Sequence, residues 1–207
     1  MAGRPAAGGG RWVSVAPERL ARWLSGFEQR HGAATLTAGS TEVVLTAQDG
    51  AIATVEVPFP PLQGDLVGHV TAERVVGVLL VRRGGHAAGL YVGARLVSSK
   101  VGTRHVQGRT AAGGWSQQRF ARRREGQAAA AYAAAADVAS KVLLERPLDG
   151  VVLGGDRQGV DAVLQDPRLA VLRPLVTGRL LDVPDPRLKV LQEVAFRDVW
   201  IRVEEPG

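Results

Sequence analysis

Nine positions, 128–136, are alanine apart from Tyr132, and a long polar loop leads into them. This pair of features constrains the fold more than any other. Alanine has the highest intrinsic helix propensity, so the run predicts a helix from about Gln117 to Glu145. Pro147 ends it, and Gly126 weakens or kinks it. An alanine face brings a helix backbone close to whatever it covers, and the flanking segments supply a sheet. The continuous apolar run 75–81 reads as a buried strand, Arg83 to Gly85 as a turn, and 87–92 and 95–100 as further strands of a meander. After the helix, 148–153 is another buried strand. Strands, a long helix and a further strand define an α/β fold, with α+β as the alternative: a mixed sheet covered by helices.

Upstream, Pro17 opens a helix in which Leu20, Trp23, Leu24 and Phe27 recur at helical spacing, and Gly32 closes it. Segments 41–46 and 51–57 read as strands around the Asp49–Gly50 turn. Residues 58–68 form a proline-rich connector. Downstream, a helix is expected over 158–164 and another near 188–196, with strands at 169–172, 178–181 and 199–203. The resulting division is a disordered lead-in over 1–10, a helix-plus-strands portion over 11–68 and a larger domain over 69–207. The last two form either one compact unit or two.

Charge and composition narrow the function. The net charge of +6 favours a polyanionic partner, with nucleic acid first among them. The chain has no cysteine, which excludes disulfides, thiol catalysis and cysteine-bound zinc and fits a reducing cytoplasm. The first ten residues lack the apolar core of a signal peptide. Residues 128–144 are the most apolar stretch, but alanine is weakly apolar and Asp137 and Lys141 interrupt it, so no membrane span is expected. The histidines are scattered and the carboxylates dispersed, so neither a metal nor another cofactor is called for.

The loop carries the chemistry. Between residues 100 and 124 stand Lys100, Arg104, Arg109, Arg119, Arg122, Arg123 and Arg124, with no aspartate or glutamate among them. Such one-signed charge repels itself unless a polyanion neutralises it. Its last four arginines also sit near a helix N-terminus, where the macrodipole disfavours cations. Phosphate binding accounts for both features; a solvated basic loop is the plainer alternative. Gly113 and Gly114 let the backbone approach a ligand closely, or serve simply as a hinge. Ser116 is placed to cap the helix.

The run Gly113-Gly114-Trp115-Ser116-Gln117-Gln118-Arg119-Phe120-Ala121-Arg122-Arg123-Arg124 resembles the signature of archaeal and eukaryotic peptide-chain release factors. That signature reads Gly-Gly-Gln-Ser-x-x-Arg-Phe-x-Arg-x-Arg. Residues 75–92 resemble the strand–turn–strand that opens the family's central domain, and 151–156 resemble its later strand ending in Gly-Gly. The similarity covers about residues 75–164. Trp115 stands where the release factors place glutamine, and Gln117 and Gln118 follow instead. A serine–glutamine pair after the glycines is similar to the Vms-like release factor branch and its largely actinobacterial relatives. The resemblance implies a release-factor-like catalytic domain over 69–207. It implies hydrolysis of the ester joining nascent peptide to tRNA, with the large ribosomal subunit and the tRNA acceptor end as partners.

An uncharged amide can orient water by donating and accepting hydrogen bonds, so such chemistry needs no strong side-chain base. Gln117 is the first candidate for that role and Gln118 the second; a solvent-exposed glutamine is the plain alternative for each. Trp115 either stacks on an unpaired base or anchors the loop. Trp12, Trp23 and Trp200 read as core. A non-catalytic RNA- or ribosome-binding module is the alternative function. A third reading is a small-molecule enzyme using the Gly154–Gly155 turn, which lacks the spacing of a dinucleotide or P-loop site and reads first as a tight βα turn.

Overall fold

The computed structural model describes residues 4–6, 9–83, 85–103 and 116–206, with the backbone alone for 116–125. In chain order the elements are β1 (Arg4–Pro5), β2 (Arg11–Val15), α1 (Leu20–His31), β3 (Ala34–Ala38), β4 (Glu42–Ala47), β5 (Ile52–Glu56) and α2 (Leu66–Thr71). There follow β6 (Val75–Arg82), β7 (Gly85–Val92), β8 (Arg95–Thr103), α3 (Ser116–Leu143), β9 (Gly150–Gly155), α4 (Arg157–Leu164), α5 (Leu188–Glu193) and β10 (Val199–Glu204).

The chain divides into two compact units, Met1–Glu73 with Arg197–Gly207, and Arg74–Phe196. In the first, six strands run in the order β1-β2-β10-β5-β4-β3. Strand alternation puts Val43, Leu45, Val55, Ile201 and Val203 on one face, where Leu20 and Phe27 of α1 share their core. Trp23 packs partly buried against the same core, as its helical spacing implies. Trp12 and Trp200 differ from the sequence reading. Trp200 lies between Val199 and Ile201, which enter the core, and Trp12 lies next to Val13, which packs against it, so each tryptophan points to the opposite face and is only half-buried.

The C-terminal strand also departs from the expected contiguous 69–207 domain. β10 pairs antiparallel with both β2 and β5, in the middle of the first unit's sheet. Its alternating pattern announces a strand, but nothing in it names the strands it joins.

The second unit is the α/β domain that the alanine run called for. Its four strands run β8-β7-β6-β9, with β6, β7 and β8 antiparallel and β9 parallel to β6. The apolar run of β6 is buried on both faces, which explains its lack of alternation. α3 covers one face. Ala135, Ala136, Val138, Ala139, Val142 and Leu143 meet Leu79, Val81, Ala88 and Leu90 in one core. On the other face the Tyr91 hydroxyl donates to the Leu191 carbonyl of α5 at 2.5 Å, and burial pushes that phenol's pKa up to about 12. The strand expected at 169–172 is instead part of a 3-10 stretch, Pro167–Leu175. Two prolines that cannot donate, and Asp166 accepting from the Arg168 N–H, override the apolar signal. The strand expected at 178–181 reduces to an isolated bridge between Leu181 and Gly154, with another between Val176 and Val151.

Candidate functional site

The basic window joins the edge strand of this sheet to the head of α3. β8 ends at Thr103 and α3 begins at Ser116. Arg104, Arg109, Gly113, Gly114 and Trp115 lie outside the described residues. Lys100 is exposed on β8, opposite Ala88. Ser116 is the first residue of α3, and Gln117, Gln118, Arg119, Arg122, Arg123 and Arg124 follow along the same helix. Gln117 and Gln118 thus stand in its first turn, about 100° apart around the axis.

Two contacts show how far α3 extends past the sheet. Near its C-terminus, Ser98 of β8 donates to Glu145 at 2.9 Å, so the end of the helix lies beside the start of β8. Further back, Tyr132 Cε1 lies 3.5 Å from where a Cβ on Gly159 would sit, and Val81 Cγ1 lies 2.9 Å from it. Val81 is one residue from the end of β6, so α3 passes the end of the sheet near Tyr132. Residues 116–131 then amount to roughly 24 Å of helix beyond that end. Burial agrees: 126–134 are exposed or half-buried, and full burial begins at Ala135. The arginine-bearing half of α3 therefore continues beyond the end of the four-stranded sheet.

At the root of the loop, His86 on β7 lies opposite Gly102 on β8. The ring is 6% exposed, and burial lowers its pKa. A Cβ on Gly102 would come within 2.2 Å of His86 Nε2, so the glycine makes room for the imidazole. The ring packs against Gly102, one residue before the end of β8.

The Gly154–Gly155 turn is structural on this geometry. Gly155 has φ +94, and a Cβ there would meet the Val81 carbonyl oxygen at 2.1 Å. Its N–H donates to Leu181 O at 2.9 Å, and the Asp156 N–H to Val81 O at 2.8 Å. Both of these amides are engaged by carbonyls, and close strand packing explains the glycines. The Asp156 carboxylate lies 3.7 Å from Arg82 and accepts from the Arg83 N–H at 3.2 Å. Among the described residues no group of three or more His, Cys, Asp or Glu side chains could hold a metal ion, and no helix is long and apolar enough to cross a membrane.

A mixed sheet whose edge strand leads through a basic glycine motif to the head of a long projecting helix defines a release-factor-like α/β domain. The sequence model of the Actinobacteria/chloroflexi VLRF1 release factor family matches residues 74–204, and the chain belongs to that family. No curated protein matches the chain. Among solved structures, an archaeal translation termination factor, aRF1, is 14% identical, with a TM-score of 0.40, over 90% of this chain and 65% of its own length. A second, described as an archaeal protein, is 16% identical, with a TM-score of 0.39, over 74% of this chain and 51% of its own. The chain thus spans less than two thirds of either structure. Family membership ties it to translation.

Proposed function

We propose that the chain is a peptidyl-tRNA hydrolase that frees nascent peptides on stalled ribosomes or large subunits in the cytoplasm. The observation that carries this reading is the Gly113–Arg124 run, continuous with the release-factor signature and leading into a helix that projects from its sheet. In this reading the arginines hold phosphates of the tRNA acceptor end, and the glycines let the loop reach the ester. The Gln117 amide oxygen then accepts a hydrogen bond from water and holds the water oxygen against the ester carbonyl carbon. Attack forms the carbon–oxygen bond, the bond to the terminal ribose oxygen breaks, and that oxygen leaves with one proton of the water while the other passes to solvent. The products are a free peptide carboxylate and deacylated tRNA. The ester is already activated, so positioning supplies much of the rate.

Single-turnover release of labelled peptide from stalled ribosome–nascent-chain complexes tests this. Gln117→Ala is expected to lower release by roughly 100-fold with ribosome binding retained, the scale set by misplacing one reactant. Gln118→Ala is expected to be milder, its side chain leaving the helix in another direction. Loss in Gln118→Ala alone transfers the role to that residue. A wild-type chain that binds ribosomes and releases nothing leaves the RNA-binding module as the function.

A further inference from the structure

The end of the sheet from which the loop departs carries a second set of cations. Arg82 lies opposite Gly85, Gly85 opposite Thr103, and Val81 opposite Gly155. The β6–β7 turn, the last residue of β8 and the end of β9 therefore share one end, over about 14 Å at strand spacing. Arg83 stands at that turn and Arg157 opens α4 just past Gly155; both are exposed. This is also the end that α3 passes near Tyr132, so both arginines lie at the foot of its projecting half.

These cations are not equivalent. Arg82 is engaged: its Nη1 donates to the Val183 carbonyl at 2.7 Å and its Nε lies 3.7 Å from Asp156. Asp156 is in turn committed to Arg82 and to the Arg83 N–H. Among the described residues neither the Arg83 nor the Arg157 guanidinium has a carboxylate partner. The segment 182–187 crosses this end, its Val183 carbonyl accepting from Arg82 and its Pro186 carbonyl lying near Gly85, and it brings Asp182, Asp185 and Arg187. The set Arg82, Arg83, Arg157 and Arg187 against Asp156, Asp182 and Asp185 remains positive. It adjoins a helix segment that carries four arginines and no acid before Glu125. Like charges kept together with no internal partner fit an extended polyanion that spans them.

We propose that Arg83 and Arg157 form a second phosphate-binding patch that extends the RNA surface from the head of α3 onto the end of the sheet. The ligand is the RNA phosphate backbone, read without regard to base, since guanidinium groups bind phosphate whatever the base it carries. The proposal rests on the reading of α3 as an RNA-contacting element, and it adds residues outside the release-factor signature.

The experiment is fluorescence anisotropy of a labelled RNA acceptor-stem hairpin with a single-stranded 3′ end, over a salt series. The full chain is compared with Arg83→Gln/Arg157→Gln. Both side chains are exposed, so folding should be unaffected, which thermal melting checks. Loss of two phosphate contacts flattens the slope of log K against log salt by about 1.4–1.8, equally for hairpins of unrelated sequence. Arg82→Gln, removing an engaged side chain, lowers the melting temperature more than it changes the slope. An unchanged slope in the double variant overturns the proposal. So does unchanged hairpin binding with weakened binding to large subunits, which would assign the pair to an acidic protein surface. A wild type that shows the steep slope but releases no peptide overturns the hydrolase reading and leaves the patch standing.

Discussion

Placing a single methyl group at Gly102 tests whether the root of the loop is held by its contact with His86. The backbone of Gly102 is not in a left-handed conformation, so alanine is conformationally acceptable and the cost of Gly102→Ala is steric. The new Cβ would lie 2.2 Å from His86 Nε2 and 2.6 Å from Cε1, far inside contact distance. The imidazole sits on a central strand and is 6% exposed, so it has little room to withdraw. Overpacking of this kind costs about 1–3 kcal/mol. His86→Ala alone also destabilises, because it removes a buried ring. In the double variant the truncated side chain leaves space for the methyl group, so the two losses do not add. A coupling of roughly 1–3 kcal/mol is expected from urea denaturation of the four proteins. If the proposed hydrolase reading holds and the ring also fixes where the chain leaves β8, Gly102→Ala slows peptide release and adding His86→Ala does not simply double the defect. Additivity within about 0.5 kcal/mol would refute the contact as a determinant of the loop root.

Two further outcomes follow from the same geometry. Gly155→Ala combines a left-handed backbone with a Cβ at 2.1 Å from Val81 O, so it is expected to destabilise by more than about 2 kcal/mol, measured by denaturant midpoint at constant slope. A loss under about 0.5 kcal/mol would show that the turn relaxes freely and reopen a ligand role for its glycines. Asp166 is held down to about 2, first by the Arg168 side chain and then by the Arg168 N–H. Its stabilising contribution is therefore full above the ordinary carboxylate value of 3.8 and is lost as pH falls through about 2. Asp166→Asn is expected to flatten the acid limb of the stability curve in that window, and an unchanged limb contradicts the pairing.

The sequence by itself determined the frame of the second unit, where β6, β7, β8, α3, β9 and α4 fall where their patterns place them. A short unbroken apolar run before a turn reads as a strand buried on both faces, and β6 is one. An alanine tract bounded by proline can hardly avoid helix, and α3 ends before Pro147 as expected. The candidate chemistry was legible for a related reason: a glycine pair, a serine–glutamine pair and arginines at fixed spacing form one local string that no tertiary contact has to assemble. Where local signals conflicted, the sequence misled. The apolar residues at 169–172 read as a strand, yet Pro167, Pro174 and the capping Asp166 made the segment 3-10. What only the tertiary structure decided is which distant segments meet. Strand periodicity gives a face and not a partner, so β10 announces itself without revealing that it lies between β2 and β5. For the same reason Arg83 and Arg157, far apart in sequence and outside any motif, come to one end of the sheet only through the register of β6 with β9. The methyl-sized space that His86 takes from Gly102 likewise exists only once β7 and β8 are paired.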